Sequence, residues 1–423
     1  MLKKLKQRLY FLVASYFRFC AGIQLKKWHP KVIVITGSSG KTTTMHLVQS
    51  QLGESARYSH HANSAFGICF DILGLSRETL QKSEWIKLFL LAPYRAFKQP
   101  YKEALYVAEV DCDRPREGAF LAKLLRPAGT IWLSSTQTHS VNFQSVVSSG
   151  KFTTVDEAIA YEFGHLTAQA TDFVIVNSDN SQITAQLPRS NAKIYQLSMD
   201  ECSQYTVSGE GTTMKTPHAV YTLASLVPKE IFYSLQACEL LTAELQIPFD
   251  PLFKTFRLPP GRSSLFSGIK DTTIIDSSYN SSSDALKAMI ELFVLFKAKS
   301  KWLVVGDILE QGEQEATVHT QVAHDILKGD FERIILVGPR VKKYTAPELK
   351  KLGARESSLT VFLNPKDALI YLQDELRGSE IIMFKGARFL EGIIEHLLID
   401  SADVAKLCRR ELIWQNRRKQ WGL

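Results

Sequence analysis

The sequence predicts two successive α/β units, the first built on a mainly parallel sheet and the second a Rossmann-like unit of dinucleotide-fold type. Three observations carry that expectation. Short β-branched runs alternate with helical segments from residue 31 onward, a glycine turn joins the first such run to a helix, and Pro259-Pro-Gly261 precedes a second round of the same alternation. A length of 423 residues suits two or three domains, because single cores rarely outgrow ~250–300 residues.

Lys31–Ile35 reads as a buried strand and leads into a helix over about 41–52. Ala104–Glu109 and Gly129–Leu133 read as further strands with a helix over 117–125 between them. A helix over 158–168 then leads to a strand at Asp172–Asn177. Strands separated by helices imply a doubly wound, mainly parallel sheet. In the second round, Thr272–Asp276, Lys301–Val305, Arg333–Val337 and Glu380–Phe384 are strand-like, with helices near 283–297, 315–328, 365–376 and 388–398. The expected organisation is an N-terminal helix over 1–30, a central domain over 31–258, a C-terminal α/β domain over 259–400 and a tail over 401–423. That tail is basic and aromatic, carrying Arg409, Arg410, Trp414, Arg417, Arg418, Lys419 and Trp421, and reads as a solvated or docked terminal helix.

At the N-terminus, Lys3, Lys4, Lys6 and Arg8 precede an apolar stretch from Leu9 to Phe17 that Arg18 interrupts. No small-residue cleavage site follows before the strand at Lys31, and the stretch is too short to span a bilayer. Two readings stay open. A helix packed on the first domain is favoured, because apolar helical stripes usually face a core. The other is a helix lying on an anionic membrane, a peripheral contact through residues 1–30.

Fifty-one Lys and Arg against 43 Asp and Glu leave a formal charge of +8, which suits nucleotides, phosphorylated sugars or a membrane surface. No RNA- or DNA-binding signature accompanies that charge, so no nucleic-acid partner is expected. The six cysteines, at 20, 69, 112, 202, 238 and 408, form no CxxC pair and no zinc-ligand spacing. They are expected to be reduced and mostly buried, which points to a cytoplasmic protein.

The run Thr36-Gly-Ser-Ser-Gly-Lys-Thr-Thr-Thr44 lies between the first strand and the first following helix, the context that makes a phosphate loop. Gly37 and Gly40 let the backbone N–H groups of the loop, with Ser38, Ser39 and Thr43, turn toward phosphate, and the helix start adds a favourable dipole. Lys41 is expected to reach the β- and γ-phosphates of ATP, and the Thr42 hydroxyl to be a Mg2+ ligand. Ile35 stands where the longer GxxxxGK[ST] form has glycine, so this is the shorter TGxxGKT variant.

With this loop the chain resembles the Mur ligases, which phosphorylate a carboxylate with ATP and then let an amine displace the phosphate. The resemblance runs over nearly the whole chain from residue 31. Asn63-Ser-Ala-Phe-Gly67 is similar to the family's NxxxG substrate loop, and Glu109, followed by Leu125-Arg-Pro127, to its magnesium-binding glutamate. Thr138-His139 matches a metal-site histidine, and Asn177-Ser-Asp179 resembles the NxDD segment. Pro260-Gly-Arg262 matches an arginine that contacts ATP. Asp276-Ser-Ser-Tyr279-Asn280, Gly306-Asp-Ile-Leu-Glu-Gln-Gly312, His319 and Lys385-Gly-Ala-Arg388 follow in family order, most like the D-alanyl-D-alanine-adding member. The resemblance implies a catalytic set of Lys41, Glu109, His139 and Arg262, with Thr42, Glu109 and His139 on the metal. It further implies Asp276, Tyr279 and Asn280 toward the nucleotide, and Asn63, Lys385 and Arg388 toward substrate. Bottom-up chemistry agrees by residue type, since carboxylate activation needs a phosphate cradle, a divalent cation and cationic groups around the transferring phosphoryl.

Three departures accompany the resemblance. Phe163 takes the place of the family's carbamylated lysine, and a phenyl ring binds no metal; Lys151 and His165 are the nearby alternatives. His218-Ala-Val-Tyr-Thr222 stands where the family's adenine-contacting HNxxN pattern is aligned, without either asparagine. The family's UDP-sugar-gripping domain is not expected, since about 30 residues precede the first strand. The resulting expectation is an ATP-dependent amide-bond ligase of peptidoglycan-precursor synthesis, acting on a peptide or UDP-linked substrate as two domains close over ATP and magnesium. Two alternatives stay open: an amide ligase for another carboxylate acceptor, such as a γ-glutamyl polymer, and a nucleotide-binding but non-catalytic relative acting as a membrane-associated scaffold.

Overall fold

The computed structural model describes residues 2–60, 62–77, 81, 83–136, 142–279, 281–309, 311–387 and 389–423, with residues 2–8 described by backbone alone. The chain divides into two compact units, Met1–Asp200 with Tyr233–Asp250, and Glu201–Phe232 with Pro251–Leu423.

The first unit is built on strands β1 (Lys31–Thr36), β2 (Ala56–Tyr58), β3 (Leu105–Val110), β4 (Gly129–Trp132), β5 (Phe173–Asn177) and β6 (Lys193–Leu197). They lie in the order β2-β3-β1-β4-β5-β6, and every pairing is parallel. The helices are α1 (Leu2–Trp28), α2 (Lys41–Leu52), α3 (Ala65–Leu73), α4 (Glu84–Ala96), α5 (Glu117–Leu125), α6 (Gln144–Val147), α7 (Val155–Ala168) and α8 (Ser181–Thr184). Most of α9 (Ile231–Glu244) belongs here too. The apolar runs that suggested central strands are buried along their length, as a sheet covered on both faces requires. Strand order reverses beside β1, so the loops after β1, β3 and β4 converge where open α/β sheets bind ligands.

Of the two readings of residues 1–30, the structure contains the packed helix. Phe11, Ala14, Phe17, Ala21 and Trp28 of α1 are buried. The Phe17 ring meets Phe70 of α3 with centroids 4.9 Å apart. At the two ends, the Tyr10 hydroxyl donates to Glu117 at 2.9 Å and Trp28 Nε1 donates to the Glu103 carbonyl at 2.7 Å.

The second unit carries the strands β7 (Gln204–Ser208), β8 (Gly211–Lys215) and β9 (Val220–Leu223) as a small antiparallel sheet. Its main sheet contains β10 (Ser264–Gly268), β11 (Thr272–Ser277), β12 (Lys301–Gly306), β13 (Arg333–Val337), β14 (Leu359–Phe362) and β15 (Ile381–Lys385). The order is β10-β11-β15-β12-β13-β14, with β10 antiparallel to β11 and the rest parallel. Helices α10 (Ser283–Leu295), α11 (Glu315–Ile326), α12 (Ala346–Lys351), α13 (Pro365–Glu375), α14 (Leu390–Glu395) and α15 (Leu412–Lys419) complete it.

The C-terminal tail is docked rather than solvated. Glu391 on α14 is fully buried, and Arg409 and Arg418 of the tail reach it at 3.3 and 3.7 Å. Arg410 pairs with Glu395 at 2.6 Å. A buried carboxylate left without these cations would be strongly destabilising, so the tail is part of the folded unit.

Candidate active site

The phosphate loop forms because β1 ends in a turn that only glycine tolerates. Gly37 adopts φ 132° and Gly40 φ 80°, and a Cβ on Gly37 would lie 2.8 Å from the Ser134 carbonyl oxygen. The segment after β4 clamps the loop from outside. Ser38 N donates to Ser134 O at 3.1 Å, Ser39 N to Ser134 Oγ at 2.9 Å, and Ser38 Oγ to Thr136 O at 2.8 Å. Helix α2 then begins without a capping side chain and without an acid in its first turn, whereas α3 and α7 are capped by Ser64 and Thr154. The first intrahelical bond, Thr44 N to Gly40 O, is 2.9 Å long, so the N–H groups of Lys41, Thr42 and Thr43 precede it. Uncapped donors at the positive end of a helix dipole suit an anion.

Lys41 is buried, and its Nζ donates to Gly37 O at 2.6 Å and pairs with Asp111 Oδ2 at 2.8 Å. Burial alone would lower its pKa, but the Asp111 carboxylate, with Glu109 and Asp113 nearby, outweighs that and holds it above the ordinary lysine value. Thr42 Oγ1 donates to Glu109 Oε1 at 3.1 Å, and Ser59 Oγ accepts from Glu109 N at 2.8 Å. Glu109 lies at the end of β3 and pairs in register with Ile35 of β1, which fixes it beside the loop. The Asn63 carbonyl accepts from Asp111 N at 2.8 Å, so Asn63 borders the same carboxylate, with its side chain exposed. The first unit thus brings together Lys41, Thr42, Glu109 and Asn63. His139 lies outside the described residues.

These oxygens suit magnesium by type. Thr42 and Glu109 are hard donors, and the adjacent Asp111 adds a second carboxylate. Among the described residues no group of three or more His, Cys, Asp or Glu side chains could hold a metal ion by itself. Magnesium tolerates that, since it usually takes one or two carboxylates and completes its shell with water and substrate phosphate.

Asp111 was not singled out in the sequence, although the alternation Glu109-Val-Asp111-Cys-Asp113 at a strand end signals it. Ser134 was missed as well, because a serine after a strand carries no motif. Ser234 and Tyr233 on α9 were also missed: Ser234 Oγ lies 2.9 Å from Thr44 Oγ1, and the Tyr233 hydroxyl donates to Asp179 at 2.6 Å. The Asn177-Ser-Asp179 run acts through this scaffold. Asn177 Nδ2 holds the Leu133 carbonyl at 3.0 Å and Asn180 Nδ2 the Ser135 carbonyl at 3.1 Å, steadying the segment that clamps the phosphate loop.

Phe163 is fully buried on α7, with its ring centroid 6.0 Å from that of Trp132 at the end of β4. Its neighbour Glu162 accepts from Arg116 N at 2.7 Å and Gly118 N at 3.2 Å, at the start of α5. Both alternatives have other partners in this structure. Lys151 rests over the Phe152 and Tyr161 rings, and His165 meets Arg189 at 3.1 Å. Burial, followed by Arg189, Lys151 and Lys123, lowers the His165 pKa to about 4. The His218–Thr222 segment is the β8–β9 turn and the start of β9, where Thr216 Oγ1 accepts from His218 N at 3.1 Å and Ala219 N at 2.8 Å.

In the second unit, β11 and β15 run side by side and bring Asp276 and Lys385 together, with Ser277 opposite Lys385 in register. Both side chains are buried. Ser278 N donates to Asp276 Oδ1 at 2.9 Å, while among the described residues Oδ2 has no hydrogen-bond partner. Burial raises the Asp276 pKa despite its bonds to Ser278. Burial, followed by the Arg262 charge, lowers that of Lys385 to about 7 against the pull of Asp276. Gly261, at φ 73°, lets its carbonyl accept from Tyr279 N at 3.2 Å, and Arg262 lies 5.0 Å from the Tyr279 ring centroid. Arg262, Asp276, Tyr279 and Lys385 therefore form one cluster; Asn280 and Arg388 lie outside the described residues. Arg409 of the tail adds a feature that sequence reasoning missed, donating to the Ser278 and Tyr279 carbonyls. The Gly306–Gly312 run and His319 are structural where described. Asp307 Oδ1 accepts from Arg340 N and Val341 N, both at 3.0 Å, and His319 Nε2 accepts from Ile308 N at 3.2 Å.

Two family models match this chain: the Mur ligase middle domain over residues 35–230 and the Mur ligase glutamate ligase domain over 261–388. The chain belongs to the Mur ligase family, whose members are ATP-dependent ligases. It is 21% identical over 387 residues to the UDP-N-acetylmuramoyl-tripeptide–D-alanyl-D-alanine ligase of Bacillus subtilis, covering 88% of this chain and 77% of that one. The Escherichia coli enzyme of the same description is 23% identical over 374 residues, covering 85% and 74%. Among solved structures, the MurF ligase of Thermotoga maritima in complex with ADP superposes with a TM-score of 0.70 at 18% identity, over 90% of this chain and 83% of that one.

Two outcomes follow from the geometry. A lysine introduced at position 163 would have to leave its charge in the apolar space beside Trp132. Phe163→Lys is expected to lower stability by ~3 kcal/mol or more, read as a lower denaturant midpoint. An unchanged midpoint would contradict the packing described. For Lys385, the lowered pKa means that the unfolded chain binds more protons than the folded one between about pH 7 and the ordinary lysine value. Wild-type stability relative to Lys385→Met is therefore expected to rise from pH 7 to pH 9 in paired denaturation curves. A constant difference would show that Lys385 stays charged.

Proposed function

We propose that this chain forms an amide bond from a carboxylate and an amine at the expense of ATP, through an acyl phosphate, in building a peptidoglycan-precursor peptide. The observation that carries this reading is the uncapped start of α2, where Lys41 is charged and Thr42 lies 3.1 Å from Glu109. A carboxylate oxygen of the acceptor attacks the γ-phosphorus, the bond to the β-phosphate oxygen breaks, and ADP leaves. The amine nitrogen then attacks the acyl carbon, inorganic phosphate departs, and the amine gives up a proton.

Lys41 would exchange Asp111 for phosphate oxygens and offset charge on the transferring phosphoryl. The loop N–H groups orient the phosphates, and a rigid cradle of this kind lowers the barrier by positioning. Magnesium, held by Thr42 and Glu109 with His139 proposed as a further ligand, would neutralise phosphate charge when bound. Arg262, Asp276 and Tyr279, with Asn280, are assigned to the nucleotide, and Lys385, Arg388 and Asn63 to the substrates. The UDP-linked acceptor and the D-alanyl-D-alanine amine come from the names of the relatives, and the cytoplasmic location rests on the scattered, unpaired cysteines. Membrane contact is a separate proposal.

A second reading keeps the nucleotide and drops the chemistry. The buried Phe163 and the engaged Lys151 and His165 support it, since they supply no second metal-binding group where the family has one. Phosphate release from ATP and magnesium, with UDP-muramoyl tripeptide and D-alanyl-D-alanine, separates the two. The ligase reading expects release that depends on both substrates and drops at least ~100-fold in Lys41→Ala. ATP binding with no acceptor-dependent release would overturn it in favour of the non-catalytic reading. Release with a γ-glutamyl acceptor instead would reassign the substrate and leave the ligase chemistry standing.

A further inference from the structure

Helices α1 and α4 pack side by side and run parallel. The Tyr16 hydroxyl donates to the Phe89 carbonyl at 2.7 Å, and eleven residues further along α1 Lys27 Nζ reaches the Lys98 carbonyl, nine residues further along the other segment, at 2.5 Å. Each helix buries one face and leaves a second apolar stripe outside. On α1 the outer stripe is Leu9, Leu12 and Phe19, with Leu12 69% and Phe19 71% exposed. Tyr16 falls between Leu12 and Phe19 at helical spacing, so this stripe runs along the seam with α4. On α4 and just past its end the stripe is Ile86, Leu90, Tyr94 and Phe97, with Leu90 73% and Phe97 70% exposed. Those positions follow one another at i, i+4, i+8 and i+11, the period of a single helix face.

Two neighbouring apolar stripes on the outside of a folded unit exceed the scattered exposure normal for a soluble surface. The charges that the two helices themselves carry are, apart from Glu84, basic. The α1 segment contains no acid, and it carries Lys3, Lys4, Lys6 and Arg8 in sequence and exposed Lys26 and Lys27 at its other end. Lys87 and Lys98 are exposed beside the α4 stripe, and the one acid of that helix, Glu84, is paired with Arg77 at 3.5 Å. Arg18, the charge that interrupts the apolar stretch, is turned over the Phe120 ring of α5 at 4.4 Å and so does not break the stripe. No helix among the described residues is long and apolar enough to cross a membrane.

We propose that the α1–α4 face seats this protein on an anionic phospholipid bilayer. Leu12, Phe19, Leu90 and Phe97 enter the headgroup–acyl boundary, and the flanking lysines meet lipid phosphates. Both helices lie in the plane of the surface. The contact extends the membrane reading of residues 1–30 by a second helix, which with Phe97 just past its end carries four of the seven exposed apolar side chains named, and it does not depend on the ligase chemistry.

The test is co-sedimentation of the full chain with vesicles of phosphatidylcholine alone or with one-third phosphatidylglycerol, for the wild type and for Leu12→Glu/Leu90→Glu. Both substituted positions are exposed, and ADP binding by the double variant reports that its first unit is folded. The expected result is binding to the anionic vesicles, weakened by added salt, with at least a tenfold loss of partitioning in the double variant. Equal partitioning of the two proteins would overturn the proposal, as would failure of the wild type to bind anionic vesicles. A concentration-dependent dimer abolished by Leu12→Glu/Leu90→Glu, without vesicle binding, would assign the face to a second copy of this chain.

Discussion

A lysine ammonium buried in a protein needs a counter-charge within hydrogen-bond reach, and the first unit is organised around that requirement. Lys41 has to stand at the start of α2, behind two glycines, for the loop to present its N–H groups. Its charge is kept by Asp111 at 2.8 Å. The strand order puts β3 next to β1, and the segment just past the end of β3 supplies that carboxylate. The segment after β4 then fixes the loop from the other side through Ser134, and the Asn177–Asn180 turn fixes that segment in its turn. Each layer holds the previous one, and the outcome is a cradle of backbone N–H groups around one buried, charge-paired lysine. On the proposed reading that pairing implies a competition, in which phosphate displaces a carboxylate from Lys41.

The second unit solves a related problem differently. Lys385 and Asp276 are buried on adjacent parallel strands, and burial, followed by the Arg262 charge, depresses the lysine. The cluster therefore holds a group poised near neutrality rather than a firmly charged one. The tail stabilises its rim, since Arg409 bonds to the carbonyls of Ser278 and Tyr279 while neutralising buried Glu391. A terminal segment whose basic sequence left solvated and docked readings open is thus bound to the positions assigned to the nucleotide.

Much of this was legible in the residues. The central strands announce themselves because a sheet covered on both faces needs continuous apolar runs, and the phosphate loop because its glycines have no substitutes. Position at a strand's end, together with the family resemblance, pointed to Glu109, and the Pro260-Gly-Arg262 run pointed to Arg262. What escaped detection has a common cause. Ser134, Ser234 and Arg409 act through contacts between segments distant in sequence, and none has a local pattern that marks it; Asp111 had only the alternation of acids at the end of β3. The antiparallel β7–β9 sheet was missed because its strands are short, polar and half exposed, which leaves the alternation weak. The outer stripe of α4 was missed for the opposite reason: an apolar helix face normally signals a core, and only burial shows which face of the helix looks out. Phe163 was read as incompatible with metal binding from the chemistry of its ring alone, while its role as a packing partner of Trp132 required the structure.

The claim on which the rest stands is that Lys41 is a charged phosphate ligand held in reserve by Asp111. Calorimetric titration of ADP without magnesium, into the wild type and Asp111→Asn, addresses it directly. Removing the competing carboxylate should tighten binding by roughly tenfold, which corresponds to about 1.4 kcal/mol. Unchanged or weaker binding in Asp111→Asn would show that the carboxylate does not compete with phosphate for Lys41, and the account of the site would fail at its centre.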